Sequence, residues 1–251
     1  MNDLIGFFDS GVGGISVLHE ARRLLPHENF IYYGDNGNAP YGTRALSEIR
    51  RLSAEAIDRL LNTGVKALVI ACNTATSAYA DILRSQHAEL PIVGMEPALK
   101  PAHFARHGGK VIVLATEATL HLEKFHRLMG QYGDDVISVV GKGLVELVEA
   151  GLAQTPQAAA QVRHLLASYM DEQVDAIVLG CTHFPFLRNP IQQLFPGARI
   201  FDGREGTVLR LKSLLEQHNL CSDDTPGRIE YHTSGGPEII PLMRDLMRAL
   251  D

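Results

Sequence analysis

The sequence predicts an α/β protein made of two pseudosymmetric α/β domains with mostly parallel sheets and a functional cleft between them. Three observations carry this. Short runs rich in Val, Ile, Leu and Phe alternate with stretches of helical period. The same order of runs returns in the second part of the chain. Cys72 and Cys181 each end a matching run and open a polar turn.

The strand-sized runs are 4–8 (LIGFF), 29–33 (NFIYY), 65–71 (VKALVIA), 91–94 (PIVG), 111–115 (VIVLA), 136–140 (VISVV), 174–180 (VDAIVLG) and 199–201 (RIF). Unbroken apolar runs of this length mark strands buried on both faces. Segments of helical period lie at 14–25, 45–63, 75–87, 119–131, 144–152, 157–172, 187–195, 207–218 and 238–250. Their alternation with strands argues for βαβ units, whose ligands sit beyond the carboxyl ends of the strands. The repeat pairs 4–8 with 111–115, 31–34 with 138–141, 65–72 with 174–181 and 92–94 with 200–203. The expected organisation is a first half of 1–95 plus 207–251 and a second half of 96–206. The tail reads as two helical stretches that return to the first half.

The chain has 251 residues, 45% of them hydrophobic and 21% charged, with a formal net charge of −6. No basic run stands out, which argues against a nucleic acid or an acidic membrane as partner. No apolar stretch approaches the length of a membrane span. The segment MNDLIGFFDSG has no basic start and no cleavable apolar region, so no secretion signal is read. Three Cys without C-x-x-C fit a reducing cytoplasm, where thiols are reactive or buried and do not cross-link.

A Cys at a strand end, before a helix, meets backbone N–H groups that lower a thiol pKa and make it a better nucleophile and base. The competing reading is a small buried hydrophobe. Two such Cys at matched positions, in Cys72-Asn73-Thr74-Ala75-Thr76 and Cys181-Thr182-His183-Phe184-Pro185, favour chemistry. Cys221 has no counterpart and reads as inert. Asp9-Ser10-Gly11-Val12-Gly13-Gly14 follows the first strand. Its glycines permit a tight turn and a close approach of backbone to an anion. It is neither G-x-G-x-x-G nor a Walker loop, which disfavours a nucleotide. Asp9 either holds an ammonium group or orients a proton carrier, or it merely caps the turn. The loop Gly34-Asp35-Asn36-Gly37-Asn38-Ala39-Pro40-Tyr41-Gly42 reads as a pocket wall against a plain connection. Thr116 either binds substrate or caps the next helix. Glu96 and Glu149 alone would be solvated or capping. His183, two residues after Cys181, has poor zinc spacing and suits a proton shuttle, so no metal is expected.

Together these motifs resemble the bacterial glutamate racemases, within the cofactor-independent aspartate/glutamate racemase superfamily. The resemblance rests on Phe8-Asp9-Ser10-Gly11-Val12-Gly13-Gly14, Gly34-Asp35, Ala39-Pro40-Tyr41-Gly42, Ala71-Cys72-Asn73-Thr74-Ala75-Thr76, Glu96-Pro97, Thr116-Glu117-Ala118-Thr119 and Leu179-Gly180-Cys181-Thr182-His183-Phe184-Pro185. It runs from about residue 4 to about residue 205. It implies two α/β domains around one active site, no cofactor, a cytoplasmic homodimer, and interconversion of L- and D-glutamate to supply peptidoglycan. Carried over by residue, the proton-transfer cysteines fall on Cys72 and Cys181, serving the D- and L-enantiomer respectively. The assisting groups fall on Asp9 and His183, with further support from Asp35 and Glu149. Substrate contacts fall on Asp9, Ser10, Pro40, Tyr41, Gly42, Cys72, Asn73, Thr74, Thr116, Cys181, Thr182 and His183.

Three places depart from the family pattern. Gly141-Lys142-Gly143-Leu144 stands where many members have a small residue, Cys and Pro. Asn36-Gly37-Asn38 replaces the common Thr-x-Arg or Thr-x-Asn, and Asp202-Gly203 stands where Asp-Ser is frequent. They touch the surroundings of Glu149 and the fine substrate contacts, not the cysteine pair. The first strand begins almost at Met1, so the regulatory N-terminal extension of some members is not expected. Three other readings compete: an aspartate or broad-specificity racemase, a non-catalytic dicarboxylate-binding protein, and a thiol redox enzyme.

Overall fold

A computed structural model of the chain describes residues 3–222 and 226–251. Met1 and Asn2, which open the segment read as lacking a secretion signal, lie outside the described residues. In chain order the strands are β1 (Leu4–Asp9), β2 (Asn29–Gly34), β3 (Ala67–Ile70), β4 (Ile92–Gly94), β5 (Lys110–Ala115), β6 (Val136–Val140), β7 (Val174–Gly180), β8 (Arg199–Asp202) and β9 (Ile229–Thr233). They form two sheets, ordered β4-β3-β1-β2-β9 and β6-β5-β7-β8. Every pairing is parallel. Helices connect the strands, as parallel crossovers require.

The second sheet, read from its other edge, runs β8-β7-β5-β6 and repeats the order β4-β3-β1-β2. The internal repeat read in the sequence is therefore a repeat of topology. β3 and β7 are equivalent strands, and so are β1 and β5.

The central strands β1, β3, β5 and β7 are mostly apolar because both their faces are buried. Residues alternate between faces with the strand period of two. In β1, Ile5 and Phe7 join one core while Leu4 and Phe8 join another. In β7, Ile177 and Leu179 share the core of Ile5 and Phe7, while Ala176 and Val178 face a third cluster. One apolar core thus runs continuously between the two sheets and fixes their carboxyl ends against each other.

The tail departs from the reading of two helices. Between the helices Arg204–Gln217 and Ile239–Arg248 lies β9, which pairs with β2 at the edge of the first sheet. Its sequence, IEYHT, is half-buried and alternates charged with apolar residues, so no apolar run marks it. The helix Arg204–Gln217 packs on Ile15–Leu24. A further short helix, Leu99–Ala105, carries a proline in its first turn, and the segment 119–131 divides into Glu117–His121 and Glu123–Tyr132. No described helix is long and apolar enough to cross a membrane.

Candidate active site

The carboxyl ends of β1, β2 and β3 face those of β5 and β7, and the candidate residues lie there. Cys72 follows β3 and caps the helix Asn73–Gln86, its Sγ accepting from Ala75 N–H at 3.4 Å. Cys181 follows β7 and precedes the 3-10 turn Phe184–Leu187. The two thiols line one small cavity together with Ser10, Pro40, Tyr41, Gly42, Asn73, Thr74, Thr116, Thr182 and His183. The cavity also takes in Val145 and Gly180. Its free space is about 20 Å³, room for roughly one water-sized sphere. Asp9, Asp35 and Glu149 do not reach its wall; they stand behind residues that do.

On the Cys72 side, Ser10 links the thiol to Asp9. Its Oγ lies 3.5 Å from Cys72 Sγ and donates to Asp9 Oδ1 at 3.5 Å. Asp9 is fully buried and accepts from Gly11 N–H at 2.7 Å and from Thr182 Oγ1 at 2.9 Å. Burial pushes its carboxyl up to about 6, against the opposing pull of His183 and these donors. Burial and the Asp9 charge push the Cys72 thiol up to about 12. That corrects the expectation of a lowered pKa. The helix N–H and Ser10 do pull the value down, but desolvation wins.

The Cys181 side is built on ionic hydrogen bonds. His183 Nδ1 lies 3.6 Å from Cys181 Sγ, and Nε2 lies 2.6 Å from Glu149 Oε1. Burial works against a charged imidazole, yet the bonds to Cys181 and Glu149 hold His183 well above its ordinary range. Glu149 ends the helix Leu144–Glu149 and also accepts from Val12 N–H at 2.7 Å and Asn36 Nδ2 at 2.8 Å. Burial alone would raise it, but His183, Val12 and Asn36 hold it below the usual carboxylate range. His183 thus sets a proton-holding ring nitrogen against Cys181 Sγ.

The glycine-rich loop does receive an anion, and that anion is Glu149. A Cβ on Gly11 would overlap Glu149 Oε1, and one on Gly13 would overlap His183 Nδ1. Only glycine permits this approach of the first half to the second. Tyr32 secures the loop from below, its hydroxyl donating to Gly11 O at 2.7 Å.

Asp35 organises the loop after β2. It accepts from Tyr41 Oη at 2.6 Å, from Asn38 Nδ2 at 3.1 Å and from Ser234 Oγ at 2.6 Å. Its backbone N–H donates to Asp9 O at 2.9 Å. It therefore sets the path of Pro40-Tyr41-Gly42 and touches neither thiol. Across the cleft, Ala118 N–H donates to Gly42 O at 3.0 Å, and Thr74 Oγ1 meets Thr116 Oγ1 at 3.0 Å and Thr119 Oγ1 at 3.1 Å. Thr116 also caps the helix Glu117–His121. The side-chain amide of Asn73 is buried at the cavity, and both its polar atoms lack a partner among the described residues.

Elsewhere, Lys142 is exposed on a neighbouring groove, and Glu96 pairs with Lys124 at 2.8 Å. Cys221 is exposed, away from both thiols of the cavity. Not foreseen as contributors were Val145 and Gly180, Asn36, and Ser16, whose Oγ donates to Thr182 O at 2.9 Å, while Thr119 carries one of the hydroxyls read in the run that begins at Thr116. The glycine-rich loop and the polar run after Thr116 bracket Ser16 and Thr119, but nothing local marks Asn36 or Val145.

Residues 15–209 match the Asp/Glu/Hydantoin racemase family. The glutamate racemase of Clostridium perfringens (strain SM101 / Type A) is 50% identical over 225 residues, which are 88% of this chain and 86% of that protein. The glutamate racemase of Clostridium botulinum (strain Alaska E43 / Type E3) is 42% identical over 253 residues, covering 99% of this chain and 98% of that one. Among solved structures, the glutamate racemase from Thermus thermophilus in complex with beta-chloro-D-alanine is similar at a TM-score of 0.80 and 38% identity, covering 98% of this chain and 92% of that chain.

Proposed function

The chain belongs to the Asp/Glu/Hydantoin racemase family, and we propose that it interconverts L- and D-glutamate by proton transfer between Cys72, Cys181 and the substrate α-carbon. One observation supports this above the others. Two thiols follow equivalent strands of two like-ordered sheets and line one cavity. Inverting a stereocentre needs a base on one face and an acid on the other, and such a pair supplies both.

The two sides differ in what stands behind each thiol. Cys72, pushed up to about 12, rests as a thiol. Cys181 faces His183, whose imidazole is held well above its ordinary range and can exchange a proton with it. Cys181 removes the α-proton from one face, and Cys72 delivers its own proton to the other. After one turnover Cys181 carries a proton and Cys72 has lost one. Ser10 and Asp9, whose carboxyl burial pushes up to about 6, form the route by which Cys72 regains it, and Cys181 gives its proton back to solvent by way of His183. The carbanion charge spreads into the α-carboxylate. The unpartnered amide of Asn73 and the hydroxyls of Thr74 and Thr182 stabilise it in a dry cleft. Ser10, Pro40, Tyr41, Gly42 and Thr116 complete the substrate contacts, and Asp9, expected among them, acts from behind with Asp35 and Glu149. This chemistry requires no metal or organic cofactor.

A cavity of about 20 Å³ is too small for glutamate, so the halves 1–95 with 207–251 and 96–206 separate to admit it. The protein works in the cytoplasm as a homodimer and supplies D-glutamate for peptidoglycan.

The test is a circular dichroism assay of protein purified without added cofactor, using L-glutamate, D-glutamate and L-aspartate. Both glutamate enantiomers are expected to lose optical activity. Aspartate, shorter by one methylene, is expected to react on the order of 100-fold more slowly. Faster turnover of aspartate would reassign the substrate, and inertness toward all three would leave a binding protein.

A further inference from the structure

We propose that β9 supplies a directed hydrogen-bond relay, from Thr233 through Asn36 to Glu149, that positions the Cys181 side of the site for proton transfer. The inference rests on the two-thiol reading above and extends it to residues of the C-terminal tail.

The direction of every link is fixed by its neighbour. Gly235 N–H donates to Thr233 Oγ1 at 2.9 Å. The hydroxyl proton of Thr233 is then given to Asn36 Oδ1, at 2.9 Å. With its oxygen engaged, the Asn36 amide turns its Nδ2 to Glu149 Oε2, at 2.8 Å. The other carboxylate oxygen takes Val12 N–H and His183 Nε2. Glu149 is thereby held at both oxygens, and His183 must present Nδ1 to Cys181. An amide can be reversed about its last bond, so without Thr233 nothing on that side decides which end Asn36 shows to Glu149. A carboxamide oxygen facing the carboxylate would repel it.

The adjoining residue binds the same loop. Ser234 Oγ accepts from Gly37 N–H at 3.0 Å and donates to Asp35 Oδ1, and Ser234 N–H donates to Gly34 O at 3.1 Å. The turn after β9 therefore clamps the segment carrying Asn36. The remaining link to Glu149 crosses from the first sheet's loops to those of the second. Among the described residues β9 has no counterpart in the second sheet, and the repeat therefore gives the Cys72 side no equivalent relay.

Thr233 and Asn36 are positioning residues: they reach the reaction only through Glu149 and His183. Thr233→Val removes the hydroxyl bonded to the Asn36 carboxamide at nearly constant shape, and kcat/KM is expected to fall roughly tenfold, the upper scale of one lost neutral hydrogen bond. The fall must be equal in both directions, because enantiomers have equal energies. Substrate isotope effects are free of that constraint. If only the Cys181 transfer slows, the effect on kcat/KM rises for the 2-deuterated enantiomer whose deuteron goes to Cys181 and shrinks for the other.

The experiment measures these two isotope effects for the parent, Thr233→Val, Asn36→Leu and, as the reference, Glu149→Gln. Both relay variants are expected to move the pair in opposite senses, with the same handedness as Glu149→Gln. Thr233→Ser, which keeps the hydroxyl, is expected to restore parental values. Equal shifts for the two enantiomers in Thr233→Val and Asn36→Leu, or failure of Thr233→Ser to restore, would overturn the relay alone. Equal shifts in Glu149→Gln would overturn the one-sided reading of the site, and the relay with it.

Discussion

Gly13 packs so closely on His183 that a single added methyl carbon would stand 2.3 Å from Nδ1, the nitrogen that faces Cys181. The glycine-rich loop thus belongs to the acid–base machinery of the opposite half. Its backbone is the surface against which the imidazole and the Glu149 carboxylate are set.

Gly13→Ala is therefore expected to keep the fold and lose activity. Displacing His183 by about an ångström costs on the order of 100-fold in kcat/KM. Racemisation measured by circular dichroism, alongside thermal melting, checks this. Parental activity with an alanine at 13 would show that the imidazole has room to move without consequence.

Cys72→Ser and Cys181→Ser are each expected to cut racemisation by a factor of roughly 1,000 or more, since a serine hydroxyl is neither a competent acid nor a base here. Both thiols are buried in a cleft that accepts a smaller atom, so stability is expected to change little. Near-parental rates in either variant would rule out a scheme with one thiol per face.

Asp9→Asn separates stability from function. The folded carboxyl holds its proton up to about 6 because burial disfavours the charge. The unfolded carboxyl releases it near 3.8. The folded state binds more protons across that window, so the parent loses stability as pH rises from about 4 to about 6. The loss is complete above about 7 and is on the order of 3 kcal/mol. The variant lacks it. Urea denaturation of both proteins at pH 4, 5, 6 and 7 should show the difference grow in favour of Asp9→Asn, while its activity falls. Parallel pH curves would mean that Asp9 is not penalised in the fold.

Tyr41→Phe removes the hydroxyl donated to Asp35 and leaves that carboxylate its bonds from Asn38 and Ser234. Loss of one buried bond to a charged group is expected to cost about 1.5–3 kcal/mol in urea denaturation. Because the loop Pro40-Tyr41-Gly42 lines the cavity, KM is expected to rise more than kcat falls.

Much of this was legible in the sequence because buried parallel strands announce themselves. The runs ending near Asp9, Cys72, Ala115 and Gly180 are apolar on both faces, and their repetition along the chain announced two alike sheets, while the order of strands within each came only with the structure. β9 was not legible, because an edge strand with Glu230 and His232 in it has no reason to be apolar. Nor was the state of Cys72. A helix N-terminus is visible in sequence, whereas the desolvation that outweighs it depends on how tightly the second half covers the thiol. Asn36 was hidden for a related reason. Its partners, Glu149 and Thr233, lie 113 and 197 positions away, and no local pattern reports such a contact.

The two-thiol scheme is tested most directly by the isotopic content of substrate and product at low conversion. L-Glutamate is incubated with the protein in heavy water, and the enantiomers are separated and weighed by mass spectrometry before a tenth or so of the substrate has reacted. With one thiol on each face, the D-glutamate formed carries deuterium at the α-carbon while the remaining L-glutamate keeps its hydrogen. Deuterium accumulating in L-glutamate as fast as in D-glutamate, or D-glutamate retaining the original hydrogen, would contradict it and point to a single base serving both faces.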